Sequence, residues 1–267
     1  KTLFPYTTLF RSAIMNLFQM AQGVNKVPVG TVEGELRIAS HTMLELYLNC
    51  PYSALLRARN AKSGVKPAPN PFAERGINLH EWIEKYIKGE LQVLPADVKH
   101  HREYIEQAKE LREAGVAMQL EVPWFFDREY TPCEKKDRRI MVKQDLFYFT
   151  GANSAVLDDW KTGKRDGNEA KHARQIKRYV IAAFMRYPEL EFVEGSARYL
   201  DKNDVFTRGY TREQAMAFFK TEENLLRRYF HDTKCMPKPN RINCKGCEYN
   251  KPDEDGNYQC EYGVRDL

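Results

Sequence analysis

Residues 139–161 carry the pattern that most constrains the fold. Two runs rich in branched and aromatic residues, RIMVKQDLFYF and AVLDDWK, flank the short loop TGANS. Runs of that composition joined by a Gly- and Asn-bearing loop form an antiparallel hairpin. With pairing symmetric about Ala152, facing residues have numbers that sum to 304, which sets Asp145 opposite Asp159. Directly opposed side chains lie about 5 Å apart on one face. Strand alternation puts Lys161 on the face of Asp159 and turns Trp160 to the other side, into the core.

Two carboxylates at that spacing repel unless a cation lies between them or one takes up a proton. Oxygen donors suit a hard divalent cation such as Mg²⁺ or Mn²⁺. An ammonium beside it completes a group able to attack a phosphodiester: the cation polarises a phosphoryl oxygen and lowers the pKa of a bound water, and Lys161 offsets charge. Taken alone, the three residues also fit a solvated ion-pair network at a strand end.

The rest of the chain alternates in period. Residues 42–59, TMLELYLNCPYSALLRAR, read as a helix broken at Cys50–Pro51, with Thr42 and Glu45 as a capping box. In FAERGINLHEWIEKYIKGE, Leu79, Trp82, Ile83, Tyr86 and Ile87 mark one helical face with His80 at its margin. A charged helix near 98–114 precedes the strand MQLEVPWFF. After the hairpin, NEAKHARQIKRYVIAAFMRY is helical, EFVEGSARYLD is a strand, and a Thr211/Gln214 capping box opens the helix TREQAMAFFKTEENLLRRYF. This order is mixed α/β.

The 267 residues suffice for a sizeable core. No apolar run is long enough to span a bilayer, so no membrane partner is expected. A formal charge of +5 permits a nucleic-acid partner without requiring one. Residues 2–12, TLFPYTTLFRS, resemble the peptide encoded by a common sequencing adapter. Residues 1–14 are therefore expected to be artefactual or disordered, with translation starting near Met15. Residues 15–267 are then expected to form a single domain that includes the tail 235–262.

Six cysteines are too few for a disulfide scaffold, which points to a reducing, cytoplasmic setting. Four crowd the C-terminus: Cys235, then Cys244-x2-Cys247-x12-Cys260. A CxxC turn with Gly246 inside it brings two sulfurs toward one metal. Cys235 as fourth ligand gives a local zinc site; unmetallated thiols are the remaining alternative.

The ordered set QDLFYF…VLDDWKTGK, His80 in RGINLHEWIEKYI, Gln175 and Tyr179 in ARQIKRYV, and the opening SHTMLELYLNCPYSALLR resembles the PD-(D/E)xK nuclease superfamily, specifically its RecB-type branch. The likeness spans roughly residues 40–260. It implies a restriction-endonuclease-like α/β core: a mixed central sheet flanked by helices, with N-terminal helices and a cysteine-bearing C-terminal tail. It implies that His80, Asp145 and Asp159 are metal ligands together with the Trp160 carbonyl. Lys161 would be the catalytic lysine, and Gln175 and Tyr179 would orient Lys161 or the nucleic-acid strand. Glu121 fits an acidic position of the branch, although a half-buried strand acid explains it equally. The branch also includes nucleases that pin their chain ends with a 4Fe–4S cluster, which here would take Cys50, Cys244, Cys247 and Cys260. The implied activity is metal-dependent hydrolysis of DNA, exonucleolytic trimming in recombination, repair or phage DNA processing, with a helicase or recombination protein as a further partner. The competing expectation is a non-catalytic nucleic-acid-binding module with a structural zinc or iron–sulfur site.

Overall fold

The structure is a computed structural model and describes residues 34–65 and 70–265, all within one compact unit, Glu33–Leu267. The adapter-like segment and the expected start at Met15 lie outside the described residues. The chain opens with α1 (His41–Asn49) and α2 (Pro51–Lys62), parted where Cys50 turns extended and Pro51 takes the first helical position. The expected Thr42/Glu45 box is not the cap. Ser40 is, accepting from the Met43 amide at 3.3 Å, because Glu45 points inward to two arginines.

Next come α3 (Pro71–Ile87), a 3₁₀ turn (Ala96–His101) and α4 (Arg102–Glu113). The strands are β1 (Met118–Leu120), β2 (Pro123–Phe126), β3 (Ile140–Lys143), β4 (Leu146–Phe149) and β5 (Ser154–Lys161). Then follow α5 (Glu169–Arg186), β6 (Phe192–Tyr199), β7 (Asp204–Thr211), α6 (Arg212–His231) and the short α7 (Arg241–Lys245). The Thr211/Gln214 capping box at the start of α6 is present.

The hairpin register is the one its loop implies. Leu146 faces Asp158, Phe147 faces Leu157, and Phe149 faces Ala155, each pair summing to 304. The sheet has the order β1-β4-β5-β6-β7, with β5 and β6 parallel and the other neighbours antiparallel. Two of the expected strands are each split. MQLEVPWFF breaks at Glu121–Val122, and the run before TGANS breaks at Gln144–Asp145, so β2 and β3 peel away as a separate two-stranded sheet. Strand β7, which the sequence reading passed over, pairs with β6 along its whole length.

Odd positions of β5 face one layer and even positions the other. Ala155 and Leu157 pack with Ile176 and Val180 of α5 and with α1 and α6. Trp160 packs on the opposite face with Leu79 and Ile83 of α3 and Ile105 of α4, the core position expected of it. Helix α3 starts under an Asn70 cap that accepts from the Phe72 and Ala73 amides. Its buried Leu79, Ile83 and Ile87 each contribute about 1.5–3 kcal/mol of burial, enough to fix the helix against the sheet. Trp82, expected on that face, is instead 42% exposed.

Candidate active site

The site forms where β4 begins, β5 ends and α5 starts, at the carboxyl end of the parallel β5–β6 pair. Crevices at that end of a sheet are where ligands bind in α/β folds. Asp145 lies one residue ahead of β4; its amide donates to the Asp158 carbonyl at 3.2 Å. Its carboxylate accepts from the Trp160 amide at 2.5 Å. His80 arrives from α3: its Nδ1 lies 3.2 Å from both Asp145 Oδ1 and Glu121 Oε1, and its Nε2 lies 3.0 Å from the Trp160 carbonyl oxygen.

Glu121 occupies the break between β1 and β2 with φ at 55°, the left-handed region that non-glycine residues seldom adopt. Its amide donates to the Asp145 carbonyl at 3.0 Å, so the strained turn directs its carboxylate to His80, and Lys143 pairs with it from β3. Among the described residues, His80, Glu121 and Asp145 are the set whose metal-ligating atoms all lie within 4.8 Å of one another.

On the α5 side, Lys161 Nζ lies 2.5 Å from Asp159 Oδ2 and donates to Gln175 Oε1 at 2.7 Å. Gln175 Nε2 donates to Asp159 Oδ1 at 2.9 Å and reaches the Tyr179 hydroxyl at 2.7 Å. Gln175 and Tyr179, four residues apart, are thus one hydrogen-bonded row with the Asp-x-Lys pair. Here Asp159 is turned to Lys161, and Glu121 joins His80 and Asp145, two of the ligands that the resemblance implies together with Asp159 and the Trp160 carbonyl. The Trp160 carbonyl faces the His80 ring.

The electrostatics fit a cation. Burial and the charge of Asp159 push the Asp145 carboxyl well above the usual carboxylate range, against the opposing pull of His80. Burial alone would lower the His80 pKa, but the charge and hydrogen bond of Asp145 and the hydrogen bond of Glu121 raise it to about 10. A protonated imidazole therefore holds the positive charge amid the acids. Burial opposes the ionised Glu121, yet hydrogen bonds from His80 and Lys143 bring its pKa down to about 2. Nitrogen and carboxylate donors grouped around a displaceable proton are the chemistry of a divalent-metal site.

The sequence reading did not single out His172 or Tyr199. Tyr199 stands beside Lys161 in the β5–β6 ladder, and its hydroxyl lies 2.8 Å from Nδ1 of His172, one helical turn before Gln175. Burial, then the charge of Lys161, lowers His172 to about 4 and keeps the ring neutral. No motif marks this pair; the pairing register alone reveals it.

The cysteines fall into two places. Cys50, Cys244, Cys247 and Cys260 line one cavity between α2 and the C-terminal tail, with Pro237, Lys238 and Tyr262. Cys235 lies elsewhere, buried in the main core with its amide bonded to Asp232, which removes the local four-Cys zinc arrangement. Among the described residues no three sulfurs come within 4.8 Å of one another. One tetrahedral zinc holds its sulfurs closer, about 3.8 Å apart from Zn–S bonds near 2.3 Å.

No curated protein sequence matches the chain. Two crystal structures resemble it weakly. That of SSO0001 is 13% identical with a TM-score of 0.47, over 90% of this chain and 94% of that one. That of an alkaline exonuclease, LHK-Exo, from Laribacter hongkongensis is 11% identical with a TM-score of 0.31, over 75% and 91%. The sequence model of the PD-(D/E)XK nuclease superfamily matches residues 38–251, from before α1 past the CxxC turn and across every residue of the His80–Tyr179 site, and the chain belongs to that superfamily.

Proposed function

We propose that the protein is a divalent-metal-dependent deoxyribonuclease of the RecB type, an exonuclease that trims DNA ends in recombination, repair or phage DNA processing. The observation that carries this reading is the meeting of the His80–Glu121–Asp145 donor set with the Asp159–Lys161–Gln175 row at one end of β5. When bound, Mg²⁺ or Mn²⁺ supplies polarisation of the phosphoryl oxygen and a water of lowered pKa. His80, Glu121 and Asp145 would hold the ion, with Asp159 beside them. Lys161 would orient the attacking water and offset charge on the phosphorane-like transition state. Gln175 holds Lys161 and Asp159 at fixed spacing, and Tyr179 holds Gln175.

The test uses end-labelled single- and double-stranded DNA with Mg²⁺ or Mn²⁺. Asp159→Ala and Lys161→Ala are each expected to lower cleavage at least about 100-fold. Full activity in either variant, or metal-independent DNA binding without any cleavage by the parent protein, overturns the assignment.

The four-cysteine cavity is proposed to hold a 4Fe–4S cluster with a structural role, linking α2 to the tail. The lining of one cavity by Cys50, Cys244, Cys247 and Cys260, the four the resemblance implies, supports this reading. Protein purified without oxygen is expected to absorb near about 400 nm and to lose that band in Cys50→Ala; a colourless, zinc-loaded protein refutes it.

A further inference from the structure

Helix α3 is tied at three points to the end of β5, the turn that follows it and the neighbouring β6–β7 turn. His80 Nε2 lies 3.0 Å from the Trp160 carbonyl. Gly76 rests on the turn so closely that a Cβ there would stand 3.1 Å from Thr162 Oγ1. The third point is ionic. The Arg75 guanidinium grips both oxygens of Asp201, at 3.2 and 2.6 Å, and Asp201 Oδ2 accepts from the Gly163 amide at 2.6 Å. One residue earlier, the Leu200 amide donates to the Lys161 carbonyl at 2.8 Å. The Lys161–Thr162–Gly163 turn is therefore held by the β6–β7 turn, which α3 holds in its place.

The geometry points to Arg75 as a positioning residue: acting through Asp201, it locks the helix that carries His80 to the turn that carries Lys161. This rests on the proposed nuclease reading, for which both side chains must meet one phosphate. As an ion pair the contact is minor, since side chains 40% and 28% exposed contribute only about 0–1 kcal/mol. As a geometric constraint it is not minor, because a displacement of about 1 Å at reacting groups can cost about 100-fold in rate. Arg75 also binds Asp97, at 2.9 Å; the Gly163 amide bonds to Asp201 and, among the described residues, no hydrogen bond joins Asp97 to the turn, so Asp97 provides the control.

The experiment compares Arg75→Ala, Asp201→Ala, their double variant and Asp97→Ala in the full chain. Hydrogen exchange at Gly163 and Mn²⁺ binding by calorimetry are measured without DNA; kcat and KM are measured on labelled DNA. Arg75→Ala and Asp201→Ala are each expected to speed Gly163 exchange and weaken Mn²⁺ binding about tenfold. Each should lower kcat about 10–100-fold with KM nearly unchanged. The double variant should match the singles, and Asp97→Ala should stay within about threefold of the parent. Unchanged Gly163 exchange in Arg75→Ala, or an Asp97→Ala that matches Arg75→Ala, overturns the proposal. A parent protein that cleaves no DNA sinks the nuclease reading instead, and Gly163 exchange still judges Arg75.

Discussion

Arg178 offers the sharpest test of how α5 is held. Its side chain, 4% exposed, donates to Glu45 of α1 at 2.8 Å and to Glu222 of α6 at 2.6 Å, and its Nη1 lies 2.8 Å from His41 Nδ1. Arg178→Met keeps most of the volume and leaves two poorly hydrated carboxylates facing the vacated position. Removing one partner of a buried ionic group costs about 3–5 kcal/mol. Glu45 retains Arg174, whose guanidinium reaches both of its oxygens, so the lower end of that range applies. For a domain of this size, about 3 kcal/mol corresponds to a fall in Tm of roughly 6–12 °C. Urea titration followed by circular dichroism measures the loss directly. Burial raises the Glu45 pKa, but hydrogen bonds from Arg174 and Arg178 outweigh it, and the carboxyl sits below its ordinary 4.5. Its stabilisation is complete above that value and is lost as the pH falls through the folded-state pKa. The acid limb of the stability curve should therefore flatten in Arg178→Met. Replacing all three groups, as Glu45→Leu, Arg178→Met and Glu222→Leu, should recover most of the loss. A cost under about 1 kcal/mol for Arg178→Met refutes the reasoning.

Three further outcomes are expected. Tyr104→Phe removes the hydroxyl that donates to the fully buried Asp158, leaving Arg198 at 2.9 Å, and should cost about 1.5–3 kcal/mol by urea titration. Gly195→Ala places a Cβ 2.6 Å from Ile176 Cγ2 and 3.1 Å from Val180 Cγ2, so β6 and α5 must part at a cost of about 1–3 kcal/mol, read from the same titration. Glu121→Gly relieves the left-handed backbone, so the unfolding free energy from urea titration should change by no more than about 1 kcal/mol, while calorimetric Mn²⁺ affinity falls at least about tenfold.

The central hairpin was legible because a short loop and period-two alternation leave one register, and that register carried Asp145, Asp159, Lys161 and Trp160 to their faces. Gln175 and Tyr179 were legible through the resemblance alone, since two polar residues four apart on a helix carry no site signal of their own. Glu121 was ambiguous for a physical reason: a strand acid and a site acid share one local pattern, and only the positive φ between two sheets separates them. Strand β7 was missed because DVFTRGYT alternates weakly, with one buried residue, Tyr210. The Ser40 cap was missed because Thr42 and Glu45 match a capping box, whereas Glu45 is drawn inward by arginines more than 120 residues away. The His172–Tyr199 pair and the Arg75–Asp201 bridge join distant segments and leave no trace in local periodicity.

The seam between α2 and the tail has a consequence for synthesis. Asn60 and Gln259 exchange amide hydrogen bonds across 199 residues of chain, and Arg57 pairs with Glu248 nearby. At about 5–20 residues per second, the ribosome needs roughly 10–40 s to deliver that tail after α2 has emerged. For that interval the nascent α2 has one flank without its native partner, so the seam is among the last contacts of the fold to close.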